Sequence, residues 1–258
     1  PIPFDKTSTW GKGADKGPSA IIKASQNMEL YDIETKSEIY QNGIFTAKPI
    51  KEKTSASMIE RTYNVTKKLL ADKKFVVTLG GEHSISQGPI KAFVERYKNL
   101  SILHLDAHSD RRESYDGTKF SHACIMARAE EMVNNVVSIG VRSLDASELK
   151  SLRPEKIFFA EEIIGSKDWM KEVIKQLSGQ VYITIDLDVF DPAYLPSTGT
   201  PESGGLDWYT VLKLLKLVVS NKEVVGCDIV ELAPNELERS SDFLAAKLVY
   251  KILSYKFS

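Results

Sequence analysis

Asp106, His108 and Asp110 stand at alternate positions directly behind an apolar run, in SILHLDAHSD (101–110). Alternate residues of a strand share one face, so these three converge if strand geometry continues through them. VYITIDLDVFDP (181–192) repeats the pattern with Asp186 and Asp188, and FVVTLGGEHS (75–84) carries His83 near its end. Four carboxylates and two imidazoles thus close three strand-like runs. Carboxylates gathered without cations repel one another and take up protons. The group therefore asks for divalent ions, and a shared carboxylate makes two ions natural. Oxygen-rich ligation with some nitrogen favours Mn2+ over a structural zinc, which prefers a Cys/His tetrahedron; neither Cys124 nor Cys227 lies in these segments. Two ions also lower the pKa of a water between them until hydroxide forms near neutral pH. With that hydroxide the counted charge of the site is about −1, which suits a cationic electrophile better than a phosphate ester. Taken singly, an Asp after a strand more commonly shapes a turn or caps a helix. The coincidence of two acidic clusters with histidines at matching strand ends is what points to metal.

Positioning such groups requires strands that end together. Short β-rich runs at 75–79, 101–106, 136–141, 156–159, 181–186 and 224–229 alternate with helical patterns at 57–70, 88–97, 122–133, 168–177, 208–219 and 241–255. Several strand runs are nearly continuous in apolar residues, as buried parallel strands are. The alternation predicts an α/β fold with a mostly parallel sheet and helices on both faces. No repeat, low-complexity tract or Gly/Ser-rich linker divides the chain, so one domain over 1–258 is expected. In open α/β sheets ligands bind beyond the carboxyl ends of the strands. His83, the Asp106 group, the Asp186 pair and Glu231 (behind VVGCDIV) all fall at such ends.

GGEHS (80–84), DAHSD (106–110) and DLDVFDPAYLPSTGTPESGG (186–205) resemble the three signature blocks of the ureohydrolase family, which includes arginase and agmatinase. GADKGPSAII (13–22) and DIVELAP (228–234) resemble further family segments, so the resemblance covers most of the chain. It implies a three-layer α/β/α fold and two Mn2+ per subunit. One ion would take His83, Asp106, Asp110 and Asp186; the other would take Asp106, His108, Asp186 and Asp188. His122, in KFSHACIMARAEE, matches the family's proton-transfer histidine. The amine leaving a tetrahedral guanidine adduct needs a proton, and imidazole delivers one near pH 7. The residues alone allow equally that His122 simply begins a helix behind Ser121 as N-cap. Glu231 matches the carboxylate that anchors the guanidinium through a forked pair of hydrogen bonds; the residues alone favour an exposed Glu at a strand end. His122 and Glu231 are thus the substrate-binding candidates. Asp110, His122 and Glu231 are the catalytic ones, with Asp110 also accepting a hydrogen bond from the attacking hydroxide.

Arginase-like members recognise an α-amino acid head through the loop after the DAH block, with an asparagine behind its final Asp. Here Arg111 and Arg112 follow Asp110, and the loop 110–123 resembles that of agmatinase-like members. The expected reaction is hydrolysis of agmatine, a small-molecule guanidine, to putrescine and urea. If Arg111 and Arg112 point inward, a carboxylate-ended guanidine such as guanidinobutyrate is the alternative, while Glu113, Asp116, Glu161 and Glu162 are candidate partners for an amine. A metal-binding protein without catalysis is the reading from another class, but it has no use for a proton donor at His122. Structural roles are expected for His104 (a hydrogen-bonded core residue), Asp191 (a turn), Cys124 (a buried apolar side chain) and the loop glycines Gly199, Gly204 and Gly205. Asp228 either buttresses the site or merely ends a strand.

The 34 basic and 35 acidic residues leave a net charge of −1, so no global field selects nucleic acid or an anionic membrane as partner. Two cysteines cannot form a disulfide scaffold, no apolar stretch reaches bilayer-spanning length, and residues 1–10 carry no signal or transit pattern. A cytoplasmic protein is expected, and the family resemblance implies a homotrimer or homohexamer.

Overall fold

The apolar runs become the strands of one sheet in the computed structural model, which describes residues 1–166 and 168–258. β1 (Val76–Leu79), β2 (Leu100–Leu105), β3 (Val136–Val141), β4 (Ile157–Phe159), β5 (Gln180–Asp186) and β6 (Glu223–Val230) pair in parallel in the order β1-β6-β5-β2-β3-β4. Every residue of β2 and β3 is buried. Such strands face protein on both sides, which is why their sequences lack polar alternation.

The helices are α1 (Gly17–Ser25), α2 (Ser55–Ala71), α3 (Gln87–Arg96), α4 (Ile125–Glu130), α5 (Ala160–Ile163), α6 (Trp169–Gln176), α7 (Trp208–Asn221) and α8 (Ser240–Phe257). Successive strand residues enter different cores. Leu103, Ile183 and Cys227 pack with Val173 of α6, Leu215 of α7 and Leu248 of α8. Ile102, Tyr182 and Val225 pack with Leu70 of α2, Phe93 of α3 and Met126 of α4. Layers therefore cover both faces of the sheet, and the three-layer α/β/α architecture expected from the sequence is the one observed.

Two expectations need correction. The helix anticipated over 122–133 is a 3-10 turn, His122–Cys124, followed by the shorter α4, because Cys124 (φ −120°, ψ 2°) leaves helical geometry. α1 and α5 were not anticipated, although Pro18 in the first turn of α1 is an N-terminal signal.

The strand order positions the chemistry. The chain leaves β1 at one edge and crosses to β2, then builds outward through β3 and β4. It later returns to insert β5 and β6 between β2 and β1. Such a reversal opens a crevice at the carboxyl ends of the central strands. The N-terminal segment runs over that crevice: Ile2 pairs in parallel with Gly80, and Glu82 N donates to Phe4 O at 2.9 Å. A Cβ on Gly81 would lie 1.9 Å from that same oxygen, so only glycine lets the two backbones meet.

Candidate metal centre

Each central strand hands its functional side chain to an irregular turn. β1 leads through Gly80, Gly81 and Glu82 into a 3-10 turn, His83–Ser86, with the His83 ring buried. β2 stops at Leu105, and Asp110 takes a left-handed backbone (φ 54°). Its carbonyl accepts from Met126 N and Ala127 N at 2.9 and 3.3 Å, at the start of α4. The strand geometry expected through 106–110 is therefore not what gathers these side chains; a turn does, and His108 alone keeps a strand-like bridge, to Ser143. After β5, Asp186 accepts from Asp188 N at 2.9 Å and sets the 3-10 turn Leu187–Val189. After β6, Glu231 is also left-handed (φ 65°), which aims its side chain back toward β1.

These turns bring the six residues singled out from the sequence into two overlapping groups. His83 Nδ1 lies 3.1, 3.2 and 3.3 Å from carboxylate oxygens of Asp106, Asp110 and Asp186. His108 Nδ1 lies 2.9 Å from Asp188 and 3.5 Å from Asp106. Asp106 belongs to both groups. Yet His83 Nδ1, though ringed by three oxygens, makes no hydrogen bond of proper geometry.

His83 Nε2 meets Thr184 Oγ1 at 2.9 Å, and that hydroxyl gives its only proton to Asp228 at 2.6 Å. Thr184 must therefore accept from Nε2–H, which leaves Nδ1 as the nitrogen pointed among the oxygens. A proton there has three carboxylates around it and no well-aligned acceptor; a cation in its place would meet the Nδ1 lone pair and the oxygens together. Asp228, which also accepts from Tyr182 OH at 2.6 Å, is thus a buttress of the site.

The electrostatics agree with a site built for positive charge. Burial pushes Asp186 well above the usual carboxylate pKa, and the charges of Asp188 and Asp106 push it further. Burial and Asp106 raise Asp188 likewise. Burial opposes charging of His83 and His108, but their carboxylate neighbours outweigh it: His83 is held well above the imidazole range, and His108 rises to about 12. Asp106, despite burial, is held well below its usual value by His104, His108 and His83. Protons stand in where cations would.

His104 also lies close enough to be counted in the first group. Both of its ring nitrogens are engaged elsewhere, with Asp106 at 2.8 Å and with Ser138 Oγ at 3.0 Å, so it supports Asp106 from behind, as expected.

A cavity of roughly 210 Å3 opens over these groups, lined by His83, His108, Asp110, Asp186 and Asp188 together with His122 and Glu231. Glu231 is buried, not exposed as its residue type alone suggested. One of its oxygens accepts from His83 N at 2.6 Å, and burial with the nearby charge of Glu82 raises its pKa well above the usual value. A cation arriving beside it would restore the ionised form.

Other assignments move. Arg111 turns away from the cavity to Glu130 (2.9 Å), Ser109 O and Ser138, whereas Arg112 lines the cavity and faces Asp145 at 3.4 Å. Glu113 pairs with Arg128, and neither it nor Asp116, Glu161 or Glu162 lines the cavity. The carboxylates that do line it beyond the metal groups and Glu231 are Asp145 and Glu148, which the sequence reading missed. They form a capping box at a 3-10 turn, a pattern visible in DASE (145–148) but carrying no sign of its place beside the cavity. Also missed were Thr7 to Gly11, which the N-terminal segment brings to the site, and the fully buried Glu82 that anchors them. Asp191 accepts from Ala193, Gly204 and Gly205 backbone N–H groups and shapes the loop, as expected. Cys124 is a buried free thiol raised to about 11 by burial and by the charge of Asp110.

Known proteins are similar to this chain over nearly its whole length. The model of the arginase family matches residues 1–254. An N(1)-aminopropylagmatine ureohydrolase of Synechocystis is 35% identical, over 99% of this chain and 87% of that protein. An agmatinase of Pyrococcus horikoshii is 33% identical, over 98% of this chain and 89% of its own. The crystal structure of an agmatine ureohydrolase from Thermoplasma volcanium superimposes with a TM-score of 0.91 at 32% identity, covering 99% of this chain and 87% of that one.

Proposed function

The chain belongs to the arginase family of ureohydrolases, and from that premise we propose that it hydrolyses the guanidinium group of agmatine or of its N1-aminopropyl derivative, releasing urea and the corresponding amine. The observation that carries this reading is the convergence on one cavity of two histidine–carboxylate groups sharing Asp106, a buried Glu231 and His122.

The six residues His83, Asp106, His108, Asp110, Asp186 and Asp188 would hold two Mn2+, which when bound would balance the carboxylates and supply the Lewis acidity that forms hydroxide near neutral pH. Glu231 binds the guanidinium: its first oxygen is fixed by His83 N–H, and its second lies toward Gly199 on the cavity wall. Asp110, left-handed and pinned through its carbonyl to α4, presents a carboxylate that accepts a hydrogen bond from the attacking hydroxide and orients it. His122 donates a proton to the leaving nitrogen.

The far end of the substrate meets Asp145 and Glu148. Glu148 is held by Ser109 Oγ, Arg111 N and Asp145 N, whereas Asp145 keeps one oxygen toward Arg112 and solvent. With Arg111 turned away and Arg112 occupied by Asp145 and Glu148, two carboxylates face one guanidinium, and the wall favours an ammonium over a carboxylate tail. The N1-aminopropyl substrate stands beside agmatine because several relatives are named for it. Two buried free thiols suit a reducing cytoplasm, and a homotrimer or homohexamer remains the proposed assembly.

Urea release from Mn-loaded protein, measured across agmatine, N1-aminopropylagmatine, guanidinobutyrate and arginine, tests the assignment. The two amine-ended substrates should lead in kcat/KM. Preference for guanidinobutyrate or arginine would overturn it.

A further inference from the structure

Glu82 is fully buried, one residue before His83, and belongs to neither histidine–carboxylate group. One of its oxygens accepts from Lys6 N (2.7 Å), Thr7 N (2.5 Å) and Ser8 N (3.1 Å). The other accepts from Thr7 Oγ1 and Ser84 Oγ, each at 2.5 Å. Five donors fill the acceptor capacity of a carboxylate, and they fold residues 6–8 into a tight turn against the end of β1. Holding a loop would need only the three backbone bonds. The Thr7 hydroxyl does something more.

Thr7 Oγ1 has one proton, and Glu82 takes it. The same oxygen lies 3.0 Å from His122 N and 3.4 Å from His122 Nδ1. With its proton committed, Thr7 can only accept from both. An unprotonated Nδ1 would set lone pair against lone pair there. Ser121 Oγ, 3.2 Å from the same Nδ1, has no other side-chain partner among the described residues and can rotate either to accept from Nδ1–H or to donate to a bare Nδ1, so Thr7 is the contact that decides. Nε2 makes no protein hydrogen bond among the described residues, and His122 lines the cavity. The edge of the Tyr115 ring closes off the imidazole from the side, at 5.8 Å between centroids.

We propose that Glu82 and Thr7 are positioning residues that fix the proton of His122 on Nδ1, so that the proton the ring can give up is always the one on Nε2, facing the cavity. The consequence for turnover rests on the reading of His122 as proton donor. As the C–N bond of the adduct breaks, its electron pair leaves with the amine nitrogen, which takes the Nε2 proton. The neutral ring that remains keeps Nδ1–H on Thr7, and solvent recharges Nε2. An imidazole free to choose its tautomer would spend part of its time with the proton on the wrong nitrogen, as when a triad carboxylate is lost. Glu82 thus acts on His122 at one remove, through a hydroxyl that cannot reverse.

Nitrogen-15 NMR of histidine-labelled, full-length protein reads the tautomer directly, whether or not His122 transfers a proton. The neutral His122 ring should carry Nδ1–H in the wild-type chain and in Thr7→Ser, and should shift toward Nε2–H in Thr7→Val. Nε2–H in the wild-type chain, or no change in Thr7→Val, overturns the proposal. In kinetics, Thr7→Val should lower kcat by about tenfold or more, a part of what general acid catalysis supplies, with KM and bound Mn unchanged, and Thr7→Ser should restore it. The pH dependence of kcat should change in Thr7→Val and return to the wild-type profile in Thr7→Ser. A loss with an unaltered pH profile, or a loss of metal, would mean that Thr7 only holds the loop. Full activity of His122→Ala would remove the proton-donor reading while leaving the NMR result standing, so the two failures are told apart.

Discussion

Asp106 shows how much a single side chain is asked to do. One oxygen accepts from His108 N at 2.5 Å and lies near the His108 ring; the other accepts from His104 Nε2 and faces His83. Partners on this scale set both the direction and the basicity of a ligand. His104→Ala, which removes the donor behind Asp106, should weaken Mn binding by about 10–100-fold while far-UV dichroism stays native; metal titration monitored by elemental analysis checks it. Asp188→Asn keeps an oxygen for Ala107 N, which Asp188 now satisfies at 2.9 Å, but loses the charge facing His108. Bound Mn should fall from two per subunit toward one, and urea production should drop beyond the roughly 100-fold upper end for outer partners. Full activity with one ion per subunit would overturn the two-ion reading.

Elements hold these residues through their ends. α8 begins against the loop of Ser197, and Glu238, two residues before it, accepts from Ser240 N and Ser241 N, from both serine hydroxyls, and from Ser197 Oγ across the loop. Partial burial works against its charge, but the serine hydrogen bonds prevail and bring its pKa down to about 2, from 4.5. A depressed carboxylate stabilises the fold fully above its unfolded pKa and loses that contribution as pH falls through its folded one. Glu238→Gln should therefore cost about 1–2 kcal/mol at pH 7, and the gap to the wild-type chain in urea melts should close between about pH 4.5 and pH 2. α2 and α3 meet at Gly88, where a Cβ would sit 2.0 Å from Thr62 Oγ1 and 2.5 Å from Ile59 O. Gly88→Ala should destabilise by about 1–3 kcal/mol through overpacking, seen as a lower denaturation midpoint, with substrate preference unchanged.

For the molecule as a whole, the site is where four strand ends would otherwise repel one another. Protons on His83, His108 and Asp186 hold that charge in check without metal, since all three are raised above their usual values. Metal must displace those protons, so binding should release them and tighten as pH rises. Calorimetry of Mn2+ binding in buffers of different ionisation enthalpy should show net proton release, and apparent affinity should be higher at pH 8 than at pH 6. Because the unfolded chain has no such cage, metal at about 100 times Kd should add about 2.7 kcal/mol of stability. Thermal melts with Mn2+ and after chelation check this; identical midpoints would argue against a preformed site. Chain ordering cannot supply this cage locally: its members come from β1, β2 and β5, separated by dozens of residues and joined only by the sheet order.

What the residues determine without coordinates is the inventory of the site and the sheet that carries it. Apolar runs mark parallel strands because both of their faces are buried, and acids and histidines just behind those runs mark a ligand end because polar groups can be tolerated only where the strands stop. The tertiary structure alone decides which lone pair faces inward and which partners are shared. Asp145 joins the cavity wall, and Glu82 and Thr7 reach His122 from behind it, through a glycine that admits a second backbone and an N-terminal segment folded over the crevice. Arg111 leaves it for Glu130, and Glu231 is buried by the turn after β6. These outcomes depend on contacts between distant segments, whose hydrogen-bond geometry has no local period for a sequence to display.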